Sequence, residues 1–164
     1  MTASTREVFT KLRTLLLITL FLLIVPTAES APVKPEVFGL RIGMSEESVH
    51  KRMRKIARQE KEEREEEEEG EQEVWVLKKD LRYHYILTKF SRDHRLILVT
   101  VMTHPNQVKY ADLGDLKSAT LATDGTNYSY KWKLPAQGKE SALLIVARGS
   151  NADFLTSYSV YGSR

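Results

Sequence analysis

Hydrophobic positions along the chain follow two different periods. Between residues 45 and 59 they recur at helical spacing: Val49, Met53, Ile56 and Ala57 make one narrow apolar stripe, and His50, Lys51, Arg52, Arg54, Lys55 and Arg58 take the other face. Gly43, Met44, Ser45, Glu46 and Glu47 open this helix. Ser45 is placed to cap the free amides, the two glutamates favour the positive end of the dipole, and Met44 is placed to staple onto Val49. Between residues 60 and 73, ten of 14 side chains are Glu. Extending the helix through them would put negative charge at the negative end of the dipole and repelling Glu pairs four apart, so the helix is expected to end near Gln59 and 60–73 to form a solvated loop.

Beyond this run the period falls to two. Strands are predicted over 74–77, 82–90 and 96–103, and again over 128–134, 141–147 and 154–161. Polar turns at 91–95 and 149–153 close a hairpin in each triplet. Between the triplets, 110–116 offers one helical turn and Asp124-Gly125 a chain reversal. The triplets align without a gap at an offset of 57, which sets Trp75 on Trp132, Ile86 on Leu143 and Ile97 on Phe154. The predicted fold class is α+β: an N-terminal helix packed on an antiparallel sheet of two tandem three-stranded units, 38–103 and 109–161, within one domain spanning 31–164.

Alternation also sorts the sheet faces. Tyr128, Tyr130, Trp132 and Leu134 turn to the core, as do Ile86, Thr88 and Phe90 and, in the second unit, Leu143, Ile145 and Ala147. His84 falls on an inward position, where a hydrogen-bonded core histidine is expected. With Ile97, Val99 and Val101 facing the helix, the opposite face carries Tyr83, Tyr85, Leu87, Lys89, Leu98, Met102, Lys131 and Lys133. That face is too apolar for a plain solvated sheet and reads as a partner-binding surface with a cationic rim. Two alternatives stand beside it: the connector 103–125 folding over the face, and contact through the basic helix residues Lys51, Arg54, Lys55 and Arg58.

The N-terminus supplies an address. Arg6, Lys11 and Arg13 precede 11 uncharged, mostly apolar residues, 15–25, then Pro26 and the small-residue stretch Thr27-Ala28-Glu29-Ser30-Ala31. This is the order of a cleavable secretory signal over 1–30, cut near Ser30, and the run falls well short of the ~20 residues that span a bilayer. The mature chain is expected in the periplasm or outside the cell, with no transmembrane span. It would hold 22 Lys and Arg against 20 Asp and Glu, a balance that does not point to nucleic acid.

Zero cysteines exclude disulfides, thiolate metal sites, a Cys nucleophile and a thioether lipid anchor. The four histidines, His50, His84, His94 and His104, form no local metal motif, and neither a nucleophile elbow nor a phosphate-cradling glycine loop occurs. No catalytic residue, cofactor or metal is assigned. The expected function is a non-catalytic binding or scaffold module whose partner is an envelope or extracellular protein. A small-ligand binder, stacking sugars or peptides on Tyr83 and Tyr85, is the alternative; a hydrolase would need a His, a carboxylate and a nucleophile to converge in space.

The string Phe38-Gly39-Leu40-Arg41-Ile42-Gly43-Met44-Ser45-Glu46-Glu47-Ser48-Val49, followed by the Trp75 strand and its hairpin, resembles the opening of small exported bacterial proteins with the fold of β-lactamase inhibitor proteins. It is similar also to the small outer-membrane assembly lipoproteins. The resemblance covers residues 38–103 and implies a non-catalytic module that offers its sheet face to another protein, with tandem copies of the unit as in the inhibitors.

Overall fold

The computed structural model describes residues 33–60, 72–136, 138 and 141–162. The predicted signal segment 1–30, its cleavage point and most of the Glu-rich run, 61–71, lie outside the described residues. Among the described residues one α-helix, α1 (Glu46–Ile56), is followed by eight strands: β1 (Ala57–Glu60), β2 (Gln72–Leu77), β3 (Tyr83–Phe90), β4 (Leu96–Thr103), β5 (Thr120–Thr123), β6 (Tyr128–Leu134), β7 (Leu143–Gly149) and β8 (Ser157–Gly162). They form one sheet in the order β1-β2-β3-β4-β8-β7-β6-β5, every neighbouring pair antiparallel. The architecture is α+β, a helix on an antiparallel sheet.

Helix α1 ends three residues before the predicted stop, because Ala57 already adopts an extended backbone and the chain pairs with β2 as strand β1. Sequence reading missed β1 and β5, each only four residues long. Both are sheet edges: β1 exposes Arg58, Gln59 and Glu60, and β5 exposes Thr120 and Thr123 beside Leu121 and Ala122. Short edges, charged in the case of β1, discourage pairing with other chains, but four residues are too few to carry a hydrophobic period. The expected helical turn at 110–116 is two single 3-10 turns, Tyr110–Asp112 and Leu116–Ser118.

The helix start is built on the β3–β4 turn. Ser45 does not cap the helix; its hydroxyl meets that of Ser48 at 2.8 Å. The turn takes over: the Glu46 amide donates to the His94 carbonyl at 3.0 Å, the Gly43 amide to the Leu96 carbonyl at 2.7 Å, and the Leu96 amide to the Met44 carbonyl at 2.9 Å. Gly43 at φ 88° supplies the left-handed backbone that this turn into the helix requires. The expected charge placement holds, with Glu46 and Glu47 in the first turn and Arg54 and Lys55 in the last.

Pairing registers arrange the core face in two cross-strand rows. One runs Trp75, Ile86, Val101, Tyr158, Ala147, Tyr130; the other runs Glu73, Thr88, Val99, Val160, Ile145, Trp132. Trp75 and Trp132 are both buried, as expected of core anchors, their indole N–H groups donating to Thr88 Oγ1 at 3.2 Å and to the Asp115 carbonyl at 2.9 Å. Each Trp stands across from an Ile, but the partner of Trp132 is Ile145, two residues beyond the Leu143 of the ungapped alignment. Val49 and Met53 of α1, Val37 and Leu40 of the N-terminal segment, and Val108 and Tyr110 of the connector close this face as one core. Leu113, Leu116 and Ala119 pack against the same core, so this much of the connector belongs to the helix side.

Candidate functional site

The opposite face of the sheet carries three further rows. Val76, Tyr85, Met102, Ser157 and Arg148 form one; Val74, Leu87, Thr100, Ser159, Val146 and Lys131 the middle; Lys89, Leu98, Tyr161, Leu144 and Lys133 the third. None of these residues belongs to the core cluster, but Val74, Ser159 and Val146 of the middle row are buried. Seven of the eight expected partner-binding residues therefore share one face: Tyr85, Leu87, Lys89, Leu98, Met102, Lys131 and Lys133. Register adds Tyr161 and Leu144 between Leu98 and Lys133, which links the apolar patches of the two sheet halves. Lys131, Lys133 and Arg148 are exposed at its second-half end.

Tyr83 is the exception. The pairing slips between Tyr83↔Thr103 and Tyr85↔Met102, so His84 is an extra residue on β3 and the alternation changes phase. Tyr83 consequently turns to the core side, edge-on to Phe38 with ring centroids 5.3 Å apart, and burial pushes its phenol up. The same bulge corrects His84, which is exposed against Tyr85 and His104 rather than buried. It also separates Tyr83 from Tyr85, so the two rings do not form one stacking platform. A second irregularity near Phe90↔Leu96 sends Leu96 inward and leaves Ile97 37% exposed, against the expectation that Ile97 faces the helix.

A polar cluster sits on the helix side. His50, expected on the solvated helix face, is half-buried, with its ring 5.6 Å from that of Trp75 and 6.1 Å from that of Phe90. Its Nε2 lies 2.8 Å from Glu73 Oε1 and 3.8 Å from Glu46 Oε1. Glu73, expected within a solvated loop, is buried; it also accepts from Gln59 Nε2 at 2.9 Å and from Thr88 Oγ1 at 3.4 Å. His94 reaches the other oxygen of Glu46, Nδ1 to Oε2, at 2.6 Å. Glu46, His50 and His94 face a cleft lined also by Lys51, Arg54, Asp93 and Arg95. The only local sequence signal is the four-residue spacing of Glu46 and His50 on α1; Glu73 and His94 arrive from β2 and from the β3–β4 turn.

Family models, curated proteins and solved structures were compared with the chain and none matches. Among the described residues no helix is long and apolar enough to cross a membrane.

Proposed function

We propose that the protein is an exported, non-catalytic binding module of the bacterial envelope that presents the outer sheet face to another protein. The observation that carries this reading is the continuous apolar strip Tyr85, Leu87, Leu98, Met102, Tyr161 and Leu144, which stands outside the core and is bordered by Lys131, Lys133 and Arg148. Contiguous apolar surface with a polar rim is characteristic of interfaces, and the cationic border selects a partner whose rim is acidic. The connector residues Val108, Tyr110, Leu113 and Leu116 are committed to the core side and so do not cover this face, whose strip residues are half-buried.

The same reading treats the sheet as two tandem units meeting at β4 and β8. The cross-strand series Trp75-Ile86-Val101 and Trp132-Ile145-Val160 supports it, with a two-residue insertion between the first and second strands of the second series. This arrangement also agrees with the resemblance to the exported inhibitor and assembly proteins.

The test is site-specific photo-crosslinking in the envelope of a producing cell. A probe at Leu87 or Leu98 should capture one acidic-rimmed protein, whereas a probe at Lys51 should not. With that protein purified, Tyr85→Ala should weaken binding by more than about 1 kcal/mol, as expected of an aromatic anchor, and leave the fold intact. Crosslinks confined to Lys51, Arg54, Lys55 and Arg58 would move the interface to the helix.

A further inference from the structure

The polar cluster under α1 has the composition of a metal site. The donor atoms of Glu46, His50 and Glu73 all lie within 4.8 Å of one another. Two donors bound to one tetrahedral zinc at about 2.0–2.1 Å stand about 3.3 Å apart. The separations of His50 Nε2 from the two glutamates, 2.8 and 3.8 Å, bracket that value.

Three features set the cluster apart from a surface ion pair. The Glu73 side chain is only 5% exposed, a carboxylate set in a core row of the sheet. The rest of its cross-strand row is Thr88, Val99, Val160, Ile145 and Trp132, none of them charged. The His50 ring is flanked by Trp75 and Phe90, which fix its plane and aim Nε2 at the two carboxylates. Glu46 is itself oriented by His94, whose backbone is tied to the helix start through the Glu46 amide. A second residue holding a ligand's free atom is the usual support of a metal centre.

We infer that Glu46, His50 and Glu73 bind a divalent transition metal of zinc's class, with His94 as the positioning residue for Glu46. One imidazole and two carboxylates match the nitrogen and oxygen donors that zinc accepts, whereas calcium needs six or more oxygens and soft ions need sulfur. The two carboxylates would balance the ion's charge, and Glu46 and His50 line the cleft, from which water would reach a remaining position. Lys51, Arg54 and Arg95 disfavour a bare cation at the cleft mouth, so affinity resides in the three donors. The site lies across the sheet from the proposed partner face and stands independently of it.

The experiment is titration of zinc chloride into the chelator-treated full-length chain, followed by calorimetry and thermal denaturation. One saturating equivalent and a higher melting temperature are expected, and cobalt should give the visible absorption of a tetrahedral site. Glu46→Gln and His50→Gln should each weaken zinc binding at least about tenfold, and His94→Ala by about tenfold, the usual range for a supporting partner. Circular dichroism checks that each variant folds. All variants retain the Glu-rich run, so zinc held there would titrate equally in every one. Absence of saturable binding, wild-type affinity in both Glu46→Gln and His50→Gln, or a preference for calcium would overturn the assignment.

Discussion

The hydroxyls of Thr100 and Ser159 meet at 2.8 Å where β4 pairs with β8, in the middle row of the outer face. The β4–β8 ladder joins the two halves of the sheet. A neutral hydrogen bond of this kind contributes about 1 kcal/mol net. Ser159→Ala should therefore lower stability by about 1 kcal/mol, and a double-mutant cycle with Thr100→Val should return a coupling of at least about 0.5 kcal/mol. Urea denaturation measures both; purely additive losses would show that the bond contributes nothing beyond packing.

Trp75 and Trp132 are 1% and 2% exposed, each with its indole N–H satisfied. Replacing either by Ala removes a large buried ring and leaves a cavity, at an expected cost of about 3–5 kcal/mol. Equal denaturation losses for the two variants would also support the equivalence of the two strand triplets.

Gly149 lies in β7 where a Cβ would run into the Phe154 carbonyl and the Tyr110 hydroxyl. The carbonyl is backbone and cannot swing aside, so Gly149→Ala should cost about 1–3 kcal/mol by overpacking. Gly162→Ala in β8 meets nothing within 4 Å and should change stability by less than about 0.5 kcal/mol. Thermal melts of the two variants make the comparison.

Burial, followed by the neighbouring phenols of Tyr130 and Tyr128, pushes Tyr110 up to about 12 from its ordinary 10.0. Burial raises Tyr158 as well. In the unfolded chain both would lose their protons near pH 10, while the folded protein keeps Tyr110 neutral to about pH 12. The unfolded state thus binds fewer protons across this window, so stability is fully present below pH 10 and falls as pH rises toward 12. Tyr110→Phe should flatten part of that fall in denaturation midpoints measured across the range.

Glu60 and Val74 are partners across the β1–β2 ladder. Deleting 61–69 would leave four residues between them, enough for a hairpin loop. The deleted segment contains no apolar residue. The deletion should keep stability within about 1 kcal/mol of the parent, and a loss of several kcal/mol in denaturation would show that the segment is packed.

A local period encodes the part of the fold that is legible in the chain alone. Of the predicted stripe, Val49 and Met53 are the buried residues of α1, and the alternation in Tyr128–Leu134 assigns its faces correctly because no bulge interrupts it. Whatever depends on a break in period or on contacts distant in sequence is set by the assembled sheet. One extra residue at His84 reversed the side on which Tyr83 lies, and a similar slip exposed Ile97. Strands β1 and β5 exist because longer neighbours pair with them, not because their own residues seek burial. Glu73 looked like one more member of a solvated acidic run, and His50 like one more polar residue on a helix face. Only the packing of α1 over β2 brought the two within 2.8 Å, since their 23-residue separation lets no spacing rule connect them.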